Sequence, residues 1–136
     1  YMKDRRPVAW NQWGEVIGRL ERKARFIGDM PHTWVGSDFI RAVLDLFVYA
    51  DSETGSLVIG AGLPRNWLQG EGIRVRGLKT PYGEVSYTAR DEGGQLRVDL
   101  EGSSMPPGGF VFPAFLKGDL RVTFNGDLVD GHVTFP

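Results

Sequence analysis

Cysteine is absent from the 136 residues, which excludes disulfides, thiolate metal sites and thiol nucleophiles. Histidine is nearly absent. His32 and His132 are the only two, so a multi-histidine metal centre is excluded as well. An excess of either charge is also missing: 16 Lys+Arg face 17 Asp+Glu, a formal net charge of −1. The chain therefore lacks the bulk electrostatic footprint of a nucleic-acid or anionic-membrane partner. No apolar run approaches the roughly 20 residues of a membrane span. Tyr1 to Arg6 is polar and basic with no long apolar segment behind it, so a signal peptide is not expected. These absences leave no cofactor and no metal to expect, and they do not decide between a cytoplasmic and an exported chain.

What is present is ordinary for a folded chain: 41% hydrophobic and 24% charged residues. The length fits one domain or two very small ones. Glycine (19) and proline (8) are spread along the chain, as expected of many turns between short strands. The stop at Phe135-Pro136, directly after a strand-like run, reads as a piece cut from a longer protein.

The apolar period changes near Asp51. Before it, Trp10, Trp13, Ile17, Leu20, Ala24 and Ile27 recur at steps of three and four, which predicts an amphipathic helix. Gly14 and Gly18 weaken it by about 1 kcal/mol each. A His- and Trp-bearing loop, 29–36, follows. Ser37 is then placed to N-cap a second helix, with Asp38 in its first turn and an apolar face of Phe39, Ile40, Val43, Leu44, Phe47 and Val48. After Asp51 the period is two. Leu57 to Ile59; Ile73 and Val75; Val85, Tyr87 and Ala89; Leu96, Val98 and Leu100; Phe110 to Phe112; and Leu120, Val122 and Phe124 read as strands. A last strand ends at Phe135. Arg65 to Leu68 reads as a single helical turn, and Asn125-Gly126 is the strongest hairpin signal. The expected fold is mainly β: two α-helices (residues 1–51) followed by an antiparallel β-sandwich of seven or eight strands (52–136).

Few constellations could carry chemistry. Asp38 and Asp45, two helical turns and about 10 Å apart, and Asp99 with Glu101 on one strand are the carboxylate pairs. Both read more simply as helix-end and solvated charges. His32 and Trp34 have the chemistry of a sugar site, an indole to stack on a pyranose and an imidazole to bond a hydroxyl. Trp67, Tyr82 and Phe115, in or beside loops, could form a stacking platform or seal the sandwich. Gly60-Ala61-Gly62 is followed by Leu63-Pro64, not by a helix that would cradle phosphate. Ser37 lacks a nucleophile-elbow context.

The segments Met30-Pro31-His32-Thr33-Trp34-Val35-Gly36-Ser37-Asp38-Phe39-Ile40, Gly62-Leu63-Pro64-Arg65-Asn66-Trp67-Leu68 and Gly77-Leu78-Lys79-Thr80-Pro81-Tyr82-Gly83-Glu84-Val85-Ser86-Tyr87 resemble the C-terminal region of bacterial six-hairpin (α/α)6 glycosidases of the α-L-rhamnosidase type. The family's loop reads His-Gly-Trp where this one reads His32-Thr33-Trp34. The resemblance implies the last toroid helices running into a β-sandwich, with His32 and Trp34 lining a sugar subsite. It implies that the catalytic carboxylates lie upstream, so that no catalytic residue falls in this chain. The expected function is a non-catalytic portion of a carbohydrate-active enzyme that stabilises or shapes the upstream toroid. Its expected partners are that toroid and a glycan. The candidate substrate-binding residues are His32, Trp34, Trp67 and Tyr82. The alternatives are a stand-alone carbohydrate-binding module, with Trp67, Tyr82 and Trp34 on one exposed face, and a ligand-free domain that dimerises through exposed helix faces.

Overall fold

Ten strands, one α-helix and one 3-10 turn make up the described residues of this computed structural model, 12–17, 26–27, 29–113 and 119–129. The chain divides into two compact units, 1–44 and 45–136.

In the first unit, β1 (Val16–Ile17) pairs antiparallel with β2 (Phe26–Ile27), Val16 opposite Ile27 and Ile17 opposite Phe26. This corrects the helix expected from Trp10 to Ile27. Val, Ile and Phe favour extended backbone. Gly14 and Gly18 had already weakened the helical alternative, and a partner strand supplies the backbone hydrogen bonds instead. Trp10, Leu20 and Ala24 lie outside the described residues. Trp13 is buried, its ring stacked on Phe39 at 4.5 Å between centroids.

The helix α1 (Thr33–Phe47) starts four residues before the expected cap and absorbs the second half of the His/Trp loop. Ser37 is no cap. Its hydroxyl donates to the Trp34 carbonyl at 2.9 Å, the back-bond of a residue already inside the helix. Asp38 accordingly sits beyond the first turn. At its far end α1 runs directly into β3 (Val48–Asp51), so Val48 belongs to a strand and not to the helix face.

The second unit holds two sheets. One has three strands in the order β3-β4-β8, with β4 at Ser56–Ile59 and β8 at Phe110–Val111. The other has five, ordered β10-β9-β7-β6-β5: β5 (Ile73–Thr80), β6 (Gly83–Glu92), β7 (Gln95–Gly102), β9 (Asp119–Phe124) and β10 (Asp127–Leu128). The arrangement is sandwich-like. It is not purely antiparallel, because β4 pairs parallel with β8 and β7 pairs parallel with β9. The ten strands among the described residues exceed the expected seven or eight, because β1, β2 and β3 stand where helices were expected. The strand expected to end at Phe135 lies outside the described residues. The 3-10 turn Arg65–Leu68 and the Asn125-Gly126 hairpin stand where expected. Asn125 and Gly126 both have positive φ, at 50° and 93°, as a two-residue primed turn requires.

The core joins the two sheets. Leu57 and Ile59 from one, and Val85, Tyr87, Val98, Leu100 and Val122 from the other, meet Phe112 and Leu68. On β6 and β7 these are the inward members of a period-two pattern, and the alternation leaves the opposite face of the five-stranded sheet polar, whereas β4 is buried throughout.

The Phe47 carbonyl at the end of α1 has no helical partner of its own. It accepts from the Gly60 N–H at 2.8 Å and from the Tyr87 hydroxyl at 3.0 Å. Burial raises the Tyr87 phenol above its ordinary value of 10.0. Tyr87→Phe should cost about 1 kcal/mol at neutral pH, because Gly60 still satisfies the carbonyl. Above pH 10 the unfolded chain releases this proton while the folded chain keeps it. Stability present below that pH is therefore lost as pH rises. Urea unfolding at neutral and alkaline pH should show a flatter alkaline loss in Tyr87→Phe than in the parent. Equal slopes would mean that the buried phenol does not govern that limb.

Candidate functional site: the polar face of the five-stranded sheet

Register places the outward side chains of the large sheet in rows across the strands. Arg90 on β6 lies opposite Arg97 on β7, and Arg97 lies opposite Arg121 on β9. The next row runs Arg74, Thr88, Asp99 and Thr123 across β5, β6, β7 and β9. In the following row Ser86 opposes Glu101. Next to it β5 carries a bulge: the pairing shifts between Val75 and Leu78, and the Gly77 N–H donates to the Ser86 hydroxyl at 2.9 Å. Gly77 has φ +65, a conformation that suits glycine and lets the extra residue fit.

Two adjoining open depressions cover this face. One, about 540 Å³, is lined by Arg74, Thr88, Arg90, Arg97 and Asp99, with Glu71 at its rim. The other, about 620 Å³, shares Arg74, Thr88 and Asp99 and extends to Arg76, Ser86 and Glu101. Thr88 and Asp99 thus stand at the centre of a trough that crosses the strands.

Asp99 is held from two sides. Arg97 Nε donates to one carboxylate oxygen at 2.8 Å and the Thr123 hydroxyl to the other at 2.8 Å. Partial burial pushes its carboxyl up. The bonds from Arg97 and Thr123, with the charges of Arg97 and Arg121, outweigh that and leave it below the ordinary carboxylate range. The Asp99 bond in turn raises the Arg97 guanidinium. Both groups keep their charge at neutral pH. Arg90 pairs with Glu92 on its own strand. Arg74, Arg76 and Arg121 have no bonded carboxylate among the described residues.

The residues predicted as a sugar site lie elsewhere, while the candidate pair Asp99 and Glu101 lines this trough. His32 precedes α1, partly buried, and its ring meets Trp34 edge-on at 5.8 Å. Its Nδ1 is buried without a hydrogen-bond partner among the described residues. Trp34 is 76% exposed on the first turn of α1. The structure thus brings His32 and Trp34 together. Trp67 is exposed on the 3-10 turn, while Tyr82, in the β5–β6 turn, packs against the core. No ring contact joins Trp67 to Tyr82 among the described residues. Phe115 and His132 lie outside the described residues. Asp38 and Asp45 both fall on α1, and Asp99 and Glu101 share the outward face of β7. Among the described residues no three His, Asp or Glu side chains are grouped to hold a metal ion, and no helix is long and apolar enough to cross a membrane.

Sequence reading missed the arginine row. Its only signal is that Arg90, Arg97 and Arg121 each occupy the polar phase of an alternating strand.

No protein family, no curated protein and no solved structure matches the chain.

Proposed function

We propose that the 45–136 unit is a non-catalytic glycan-binding module that serves a carbohydrate-active enzyme. The observation that supports this reading is the trough on the polar sheet face. Guanidinium donors, carboxylate acceptors and hydroxyls (Arg74, Thr88, Asp99, Thr123) line one continuous row there. Neighbouring sugar hydroxyls act as donor and acceptor at once, so they suit a surface that offers both. The row is set by backbone register, which holds it rigid before ligand arrives.

The test is a glycan array with the full chain, followed by calorimetry. Arg74→Ala should weaken the captured glycan about tenfold, some 1.4 kcal/mol, without changing the melting temperature. Binding lost in Trp34→Ala or Trp67→Ala but kept in Arg74→Ala would move the site to those aromatics. A folded chain that binds no glycan would overturn the reading.

A second reading is docking on an upstream (α/α)6 catalytic domain of the α-L-rhamnosidase type, in the role of its C-terminal region. It is favoured by the exposed apolar side chains of α1, among them Trp34, Ile40, Val43, Leu44 and Leu46. Covering a few hundred Å² of such surface contributes several kcal/mol at about 25 cal/mol per Å².

A further inference from the structure

We infer that the ligand of this face is an acidic glycan, a uronate-bearing oligosaccharide whose carboxylates are held along the row Arg90, Arg97 and Arg121. The inference rests on the glycan reading above and specifies its chemistry.

Three arginines directly opposite one another on adjacent strands are unfavourable in a free sheet, because like charges in register repel. The fold pairs only part of the row with carboxylates. Asp99 serves Arg97 and Glu92 serves Arg90, but Arg121 has no bonded carboxylate among the described residues. Arg74, one row away on β5, is likewise without one. A guanidinium is a planar fork that matches a carboxylate bidentately. Arg121 keeps its whole fork for one, while Arg97, bonded through Nε, and Arg90, bonded through one terminal nitrogen, keep their other N–H donors. Neighbouring strands are about 4.8 Å apart. The guanidinium anchors therefore recur at a spacing close to one sugar unit, and an oligosaccharide laid across the strands meets one per residue.

The acidic side chains on the same face narrow the choice. Asp99 and Glu101 would repel a chain whose charged backbone carries no hydroxyl donor beside each charge, such as single-stranded DNA. They also suit the hydroxyl donors that a uronate carries beside its carboxylate. Among the described residues no aromatic ring lines the Arg90 end of the trough for a base to stack on. A neutral glycan would leave Arg121 and Arg74 without a carboxylate. With a net charge of −1 there is no bulk attraction to polyanions, so recognition rests on this local pattern.

Calorimetry on the full chain tests it. The probes are short oligogalacturonate, oligomannuronate and hyaluronan fragments, their methyl esters, dextran sulfate and an oligothymidylate. At least one uronate should bind, and methyl esterification should weaken it at least tenfold. Arg121→Gln should weaken the acid tenfold and leave the ester unchanged, and Arg90→Gln should repeat this if Arg121→Gln disturbs the sheet. Esters that bind as tightly as the acids would overturn the acidic assignment and keep the glycan reading. Dextran sulfate or oligothymidylate binding more tightly than every uronate would overturn it in favour of bare charge density. A folded chain that binds none of the sugars, acidic or neutral, would overturn both.

Discussion

Phe112→Ala should lower the unfolding free energy by about 4 kcal/mol, the largest effect expected of any single substitution in the described core. Phe112 is 1% exposed and stands just past β8, between the two sheets. It packs in the cluster that includes Leu57 and Ile59 on one side and Val85, Tyr87 and Leu100 on the other. Truncation removes a whole ring from the junction of the sheets, where neither can collapse without breaking its own ladder. The melting temperature should fall by about 15 °C. Phe112→Leu should cost less than about 1.5 kcal/mol, because it keeps most of the volume. A cost below 1 kcal/mol for Phe112→Ala would show that the sheets do not depend on this ring.

Gly102→Ala is next, at about 3 kcal/mol. Gly102 ends β7 with φ +131, a conformation that L side chains rarely adopt. An added Cβ would lie 2.3 Å from the Glu84 carbonyl oxygen, and that oxygen is backbone and cannot swing aside. The same carbonyl accepts from the Ser103 and Ser104 N–H groups, each at 3.0 Å, so a shift would break those bonds too. The Asn125 side chain accepts from the Gly102 N–H at 3.0 Å and donates to its carbonyl at 3.2 Å, which ties the end of β7 to the β9–β10 turn. Chemical denaturation should therefore show a lower midpoint with an unchanged slope. By contrast, Gly93→Ala changes only an open turn, where an added Cβ meets nothing within 4 Å, and its cost is confined to the positive φ. If the two variants cost the same, the close contact with Glu84 is not what sets the Gly102 effect.

Residues close in sequence wrote much of this fold. The alternation in 83–92 and 95–102 specified both strands and the faces they bury, because each choice depends only on neighbours two residues away. Asn125-Gly126 specified its turn because two adjacent residues of those types accept positive φ. The 3-10 turn at Arg65 was legible for the same local reason. Where a segment could follow two periods, tertiary pairing chose. Val16, Ile17, Phe26 and Ile27 fit a helical stripe on paper, yet an available partner strand made them β1 and β2. Phe47 and Val48 continue the helical stripe, but pairing of Val48 with Ile59 ends α1 there. Parallel pairing of β4 with β8 and of β7 with β9 left no mark in the pattern, because alternation is the same in either direction. The candidate site belongs to this second kind. Arg90, Arg97 and Arg121 each read alone as an ordinary solvated charge, and their meeting depends on the register of β6 with β7 and of β7 with β9. The sequence by itself determined which residues face water on β6 and β7, since burial there follows a period of two. Only the tertiary structure decided which of those residues became neighbours, since strand register is a long-range property set by the packing of the whole core.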